Sequence, residues 1–423
     1  MHSEFSFDRR KLLKSATALT ATSVLSAPAI VRAANRPIKI GFVTPQTGPL
    51  AGFGEADKFI LDGVRKFIGS GIRVGNRSIP IEILVRDTQS SSNRAAEVTG
   101  DLILKDKVDL VLASATPDVT NPAADQCELN ATPCISTICP WQAWMFPRGG
   151  NPKEGFEWTY HFFWGLDDIA GVFMNMWDSH PEVSKVVGGL YPSDADGDAW
   201  SAELPPMLKK RGFKSVNPGR FQNLSADFSA VIATMKREGV EMVTGAPIPP
   251  DFKTFWTQAA AQGFRPKFAT VAKALLFPSS VEALGDLGDG MTCEIWWSPQ
   301  HPYKSSLTGQ SSTELAGSYE SATSRQWTQP IGFVHALFEM AVDVLKRSKD
   351  PYNRESIRDA MKVTNLQSIV GPIDFANSQI SNVAKTPLVG GQWRKGSKHR
   401  YEIQVVENAA APIVPLQGKL KLL

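Results

Sequence analysis

Histidine is scarce in this chain. The six in 423 residues show no metal-ligand spacing, and two of them, His2 and His399, stand near the ends. There is no His-Glu-x-x-His and no Gly-x-Ser-x-Gly elbow, so an exported hydrolase would have no visible nucleophile and base. Gly52-Phe53-Gly54 lacks the third glycine of a dinucleotide loop. Gly391 to Lys398 has the lysine and serine of a phosphate loop transposed and strand-like residues on either side, which makes it a hairpin turn. Long apolar runs are missing beyond the first 33 residues, so nothing after them has the length to span a bilayer. These absences argue against an enzyme, and neither a cofactor nor a metal is expected.

What is present begins with Asp8-Arg9-Arg10-Lys11-Leu12-Leu13-Lys14, followed by a soft apolar run from Ser15 to Val31. Val31-Arg32-Ala33 places small residues where signal peptidase needs them, so cleavage is expected near Ala33 and the mature chain outside the cytoplasm, in the periplasm. The paired arginines resemble a twin-arginine signal, although Asp8 replaces the usual Ser or Thr; an ordinary Sec signal with a basic start is the alternative. Residues 1–33 carry five basic and two acidic side chains, and their removal leaves 40 of each. The formal charge of +3 therefore belongs to the export tag, and no nucleic-acid partner follows from it.

A chain of this length exceeds what one core usually serves, so two domains are expected. Ile38 to Val43 is a short β-branched run ended by turn residues, and 52–69 follows with Phe59, Ile60, Val64, Phe67 and Ile68 on one helical face. The alternation continues through strand 81–87, helix 92–106, strand 108–113, helix 119–130 and strand 133–137. It resumes at strand 185–190, helices 198–211 and 226–238, strand 240–244 and helix 251–263. Such alternation predicts an α/β fold with parallel sheets covered by helices on both faces, and two successions of it predict two doubly wound lobes. They are split by the Pro-, Gly- and Trp-rich segment 139–158. Long helices 328–347 and 354–363, then strands near 386–393 and 401–406, read as the chain returning to lobe one and then to lobe two.

Gly41-Phe42-Val43-Thr44-Pro45-Gln46-Thr47-Gly48-Pro49-Leu50-Ala51-Gly52-Phe53-Gly54 is similar to the opening of type I periplasmic solute-binding proteins of the branched-chain amino acid group. So are Val108 to Leu112 before a Ser/Thr-bearing loop, Asp227-Phe228-Ser229, Trp327-Thr328 and Gly371-Pro372-Ile373-Asp374-Phe375. The order and spacing of these segments carry the resemblance over nearly the whole mature chain. It implies two lobes joined by three hinge crossovers, a small organic solute in the cleft, and delivery to an inner-membrane ABC permease. Lobe one is expected to comprise 34–157 and 298–376, lobe two 158–297 and 377–423, in a monomer. A ligand-sensing module of the same fold, handing its closed state to a signalling partner, is the alternative.

Loops that leave parallel strands and enter helices aim free N–H groups into such a cleft and suit a carboxylate. Ser114-Ala115-Thr116-Pro117 is one, where the resemblance places the first carboxylate-binding serine; capping of the next helix is the other reading. Ser136 belongs to the second loop. There Pro140 lacks an N–H, and Trp141 is either a flat apolar wall or, with Trp144, hinge packing. In lobe two, Asp194, Asp196 and Asp198 alternate as in a calcium loop, but Gly197 falls too early and Pro205 occupies the last ligand position. Asp196 is then a helix-capping residue or, by the resemblance, a ligand contact. Pro247 stiffens a third wall.

Where amino-acid-binding relatives carry an acid against the ligand ammonium, this chain reads Val271-Ala272-Lys273-Ala274. Lys273 is expected to meet a second ligand carboxylate, which argues for an aromatic or dicarboxylic acid over a simple α-amino acid. Trp297 and Trp327 are further candidate walls. Cys127 and Cys134 are either a disulfide closing a small loop or two buried thiols, and Cys139 and Cys293 have no evident partner.

Overall fold

The computed structural model describes residues 36–423, so the export segment expected at residues 1–33 lies outside the described residues. Six strands build the first sheet, in the order Val383–Ala384, Thr159–Phe162, Cys134–Thr137, Leu110–Ser114, Ile38–Thr44 and Ile81–Asp87. All neighbours run parallel. Leu110–Ser114 and Cys134–Thr137 are buried at every position, as a parallel sheet covered on both faces requires.

The second sheet runs Arg220–Phe221, Val186–Pro192, Met242–Gly245, Phe268–Val271, Thr292–Ile295, Val389–Lys395 and Tyr401–Glu407, with Lys214–Val216 also on Val186–Pro192. Its last two strands form an antiparallel hairpin closed by the Gly396-Ser397-Lys398 turn. The tail thus ends in the second sheet. The strand boundaries expected from the sequence lie within two or three residues of the observed ones, and Ile81–Asp87 coincides.

Local chemistry accounts for the helix starts. Ser91 accepts from the Arg94 N–H, Asp194 from the Gly197 N–H at 2.9 Å, and Ser311 forms a reciprocal box with Glu314. The segment 52–69 is not one helix: Ala51–Gly54 is a 3-10 turn and Asp57–Ile68 the α-helix. The break follows from Gly54, where a Cβ would lie 2.6 Å from the Pro45 carbonyl oxygen, and from Asp57, which turns inward to accept from Thr44 Oγ1 at 2.7 Å. Segment 139–158 contains the short helix Trp141–Met145.

Two boundaries expected at 157/158 and 376/377 move. Thr159–Phe162 and Val383–Ala384 pair within the first sheet, so the chain crosses to the second between Phe162 and Leu166 and again between Ala384 and Val389. The remaining crossing leads from Ile295 to helix Ser312–Thr323, whose Tyr319 meets Phe59 of lobe one edge-on at 5.3 Å. Helix Pro330–Arg347 then packs on the first sheet, buried along most of its length. No helix among the described residues is long and apolar enough to cross a membrane.

Candidate functional site

The carboxyl ends of strands from both sheets line a common cavity. Thr116 comes from the loop after Leu110–Ser114, Ile138, Cys139 and Pro140 from that after Cys134–Thr137, and Phe163 and Trp164 from that after Thr159–Phe162. Lobe two contributes Asp196 and Trp200, Ala246, the Ala272-Lys273 turn with Leu276, and Glu294 with Trp296. Phe53 of lobe one closes the rim against Phe277 of lobe two, ring centroids 4.9 Å apart. This is where ligands bind in open parallel sheets, and here two such edges face each other.

Backbone strain gathers at the same place. Ala115, Thr116, Ile138 and Lys273 adopt φ of 74, 50, 67 and 62°. Such conformations cost about 1–3 kcal/mol each for side chains with a Cβ, and most for a β-branched one such as isoleucine. The surrounding packing holds them, and at each position the strain turns a strand end toward the cleft.

Lys273 Nζ lies 2.6 Å from Asp196 Oδ2 and 3.6 Å from Asp194 Oδ2, with all three side chains almost wholly buried. Burial works against the ammonium, but Asp196, Asp194 and Asp118 outweigh it and hold Lys273 protonated. Burial pushes the Asp196 carboxyl up to about 6 despite Lys273, whereas Lys273, Asn223 and the Gly197 N–H outweigh burial at Asp194 and hold it low. Burial also raises Asp118. Glu294, 1 % exposed, is raised by burial to about 8; it accepts from the Lys273 backbone N–H, and its Oε2 has no partner. Glu294 is therefore neutral at pH 7.

Of the residues singled out from the sequence, Thr116, Asp196 and Lys273 line the cavity together. Ser114 and Ala115 are buried just behind Thr116, and the hydroxyls of Ser114 and Thr116 are both without a partner. Pro247 is buried next to the lining residue Ala246. Asp194, not Asp196, is the helix cap.

Ser136 is not a lining residue: its hydroxyl is 2.9 Å from Nδ1 of His161, whose Nε2 lies 2.8 Å from the Cys139 carbonyl oxygen. Burial lowers His161 to about 3, so its ring is neutral, with Nε2–H donating to Cys139 and Nδ1 accepting from Ser136. Trp141 is also behind the wall, in a cluster with Cys139, Trp144, Met145 and Val383; its backbone N–H donates to the Trp164 carbonyl at 3.2 Å. Trp327 lies elsewhere, edge-on to Trp297 at 6.1 Å, beside a separate depression shared with Glu320, Lys398 and His399. Trp297 packs over Gly332. Cys127 and Cys134 are free buried thiols close enough to interact, and all four cysteines are free in this structure.

Sequence reading missed Glu294 and most of the aromatic lining: Phe53, Phe163, Trp164, Trp200 and Trp296. The signal was there in Phe162-Phe163-Trp164 and Trp296-Trp297, aromatic runs directly after strands. Both strands went unrecognised, so the runs had no place in the fold.

Residues 37–398 match the periplasmic binding protein family. The chain belongs to that family. Its relatives include the leucine-, isoleucine-, valine-, threonine- and alanine-binding protein of Pseudomonas aeruginosa, 23% identical over 266 residues, which are 61% of this chain and 66% of that one. The match thus spans just under two thirds of that relative's length. A leucine-binding protein of Thermotoga maritima superimposes with a TM-score of 0.72 at 17% identity, covering 88% of this chain and 99% of its own. An ABC-transporter solute-binding protein of Rhodopseudomonas palustris BisB5, solved with 3,4-dihydroxybenzoic acid, gives 0.69 at 16%, covering 89% and 99%. These structures share the type I two-lobed fold, and the relatives are solute-binding proteins, not enzymes.

Proposed function

We propose that this chain is the extracytoplasmic solute-binding component of an ABC importer, which captures a small carboxylate-bearing ligand between its lobes and presents the closed form to an inner-membrane permease. The observation that carries the reading is a cavity walled by strand ends of both sheets and lined by Thr116, Asp196, Lys273 and Glu294. A ligand there touches both lobes at once, so the closed state gains contacts that an open one lacks, and binding shifts the population toward closure. The unpartnered hydroxyls of Ser114 and Thr116 support a ligand oxygen at the lobe-one wall. The ring-rich wall supports an apolar or aromatic body, and the Rhodopseudomonas protein named above holds such an acid.

A second ligand carboxylate at Lys273 has less support than the sequence suggested. That ammonium is already engaged by Asp196 and Asp194, and a dianion would enter beside further buried carboxyls. Native mass spectrometry of the freshly purified chain, followed by thermal-shift screening of released compounds, tests the proposal. A bound acid that raises the melting temperature and contracts the scattering profile is expected. A protein that carries no small molecule, responds to none and keeps one profile throughout is not a solute receptor.

A further inference from the structure

Asp196 and Glu294 line one wall of the cavity, and Asp194 and Asp118, outside the lining, act with Asp196 on the same cation, the Lys273 ammonium. Glu294 accepts from the Lys273 backbone N–H. With Glu294 neutral, one lysine still faces three aspartates, so a ligand that brings a positive charge to this wall is favoured over one that brings a negative charge. A cation placed beside Glu294 lowers its carboxyl and ionises it, which glutamine cannot reproduce. Glu294 Oε2 is the acceptor left over, buried without a partner. Asp196 already shares its carboxylate with Lys273.

A primary ammonium carries three N–H donors and loses by every one left unpaired in a dry site. Beyond Glu294 this wall offers mostly rings and aliphatic groups. Phe163 packs against Trp164 and Trp296 with centroids 4.5 and 5.3 Å apart, and Trp200 and Phe53 add two more rings. An alkylated nitrogen has no N–H to satisfy and is attracted to ring faces by about 0.5–2 kcal/mol each. Free donors for an anionic end are present as well: Thr116 Oγ1 and the indole N–H groups of Trp164 and Trp296 are buried without partners.

We infer that the ligand is a compact zwitterion, a carboxylate whose fully alkylated nitrogen sits against Glu294 among these rings. This rests on the solute-binding reading above and narrows it.

Calorimetry and thermal shift on the full chain, using trimethylglycine and N,N-dimethylproline beside glycine, proline, leucine and 4-hydroxybenzoate, provide the test. The two alkylated compounds are expected to bind at least ten-fold more tightly than any of the others. Glu294→Gln, isosteric and checked for folding by circular dichroism, is expected to weaken them ten-fold or more, and Trp164→Leu to weaken them without loss of the fold. Tighter binding of leucine or the hydroxybenzoate, or recovery of some other class of molecule by native mass spectrometry, overturns the inference and leaves the solute-binding reading standing. No binding by any compound, with no molecule carried through purification, removes both.

Discussion

Lys273 and Asp196 come from strand ends 77 residues apart and meet at 2.6 Å in the wall of the cleft. Neither is an exposed ion pair that water would screen, so the cost of breaking it is that of stranding a buried charge.

Lys273→Met is therefore expected to destabilise the fold by about 3–5 kcal/mol, because Asp196 and Asp194 lose their counter-ion in a buried site. Asp196→Asn should cost less, since Asp194 remains 3.6 Å from the ammonium. Urea unfolding of both variants measures the difference; equal and small losses would mean that the pair is solvated.

Glu294 sets a pH dependence whose sign is fixed. Burial raises its carboxyl from the ordinary 4.5 to about 8, so the folded chain keeps a proton that the unfolded chain releases. The folded state binds more protons, and stability falls as pH rises between these two values. Glu294→Gln should be more stable than the parent protein at about pH 8, with the gain shrinking as pH falls toward 4.5. His161 and His301, lowered to about 3 by burial, act in the other direction. They stay neutral when folded and favour unfolding only as pH drops below 6.5, and being common to both proteins they cancel in the comparison.

Thr116→Val and Trp141→Ala should separate binding from packing. The first removes an unpartnered hydroxyl of the cavity wall and is expected to lower ligand affinity several-fold with little change in stability. The second empties a buried indole site behind the wall and should cost about 3–5 kcal/mol of stability, with affinity for the refolded protein largely kept. A Trp141→Ala protein that is fully stable but does not bind would put Trp141 in the site.

All four cysteines are buried, and burial raises the thiols of Cys127, Cys139 and Cys293. Thiolate, the reactive form, is therefore suppressed at these three. A thiol reagent should label none in the native protein and four after denaturation. Two labels after denaturation would mean that Cys127 and Cys134 are bridged when the protein is made in an oxidising compartment.

Gly332 lies under Trp297, whose ring would be 2.3 Å from an added Cβ. Gly332→Ala should cost about 1–3 kcal/mol, since helix and indole must part and neither has room. Thermal unfolding that matches the parent protein would show that the indole can swing away.

Much of the architecture was legible in the chain because it depends on local pattern. Leu110 to Ala113 is apolar throughout and followed by a Ser/Thr/Pro turn, the pattern of a short strand buried on both faces. Thr159–Phe162 and Leu166–Asp178 were missed because the Trp- and Gly-rich residues before them hid the return of the rhythm. The crossings moved for the same reason: a four-residue strand and a two-residue strand are too short to show a period, and only their pairing reveals which sheet they complete.

The sequence by itself determined two doubly wound lobes, the loops that face the cleft, and the presence of Thr116, Asp196 and Lys273 in them, because strand ends and turn residues are local signals. Tertiary structure alone decided which charges are spent and which are free. The sequence makes Lys273 a receptor for a ligand anion, whereas in the folded chain Asp196 and Asp194 stand against it, and Glu294, in the short buried strand Thr292–Ile295, has an oxygen that is buried and unpaired. Pairing of charges across 77 residues is a matter of distance and desolvation, and both exist only once the chain has closed on itself.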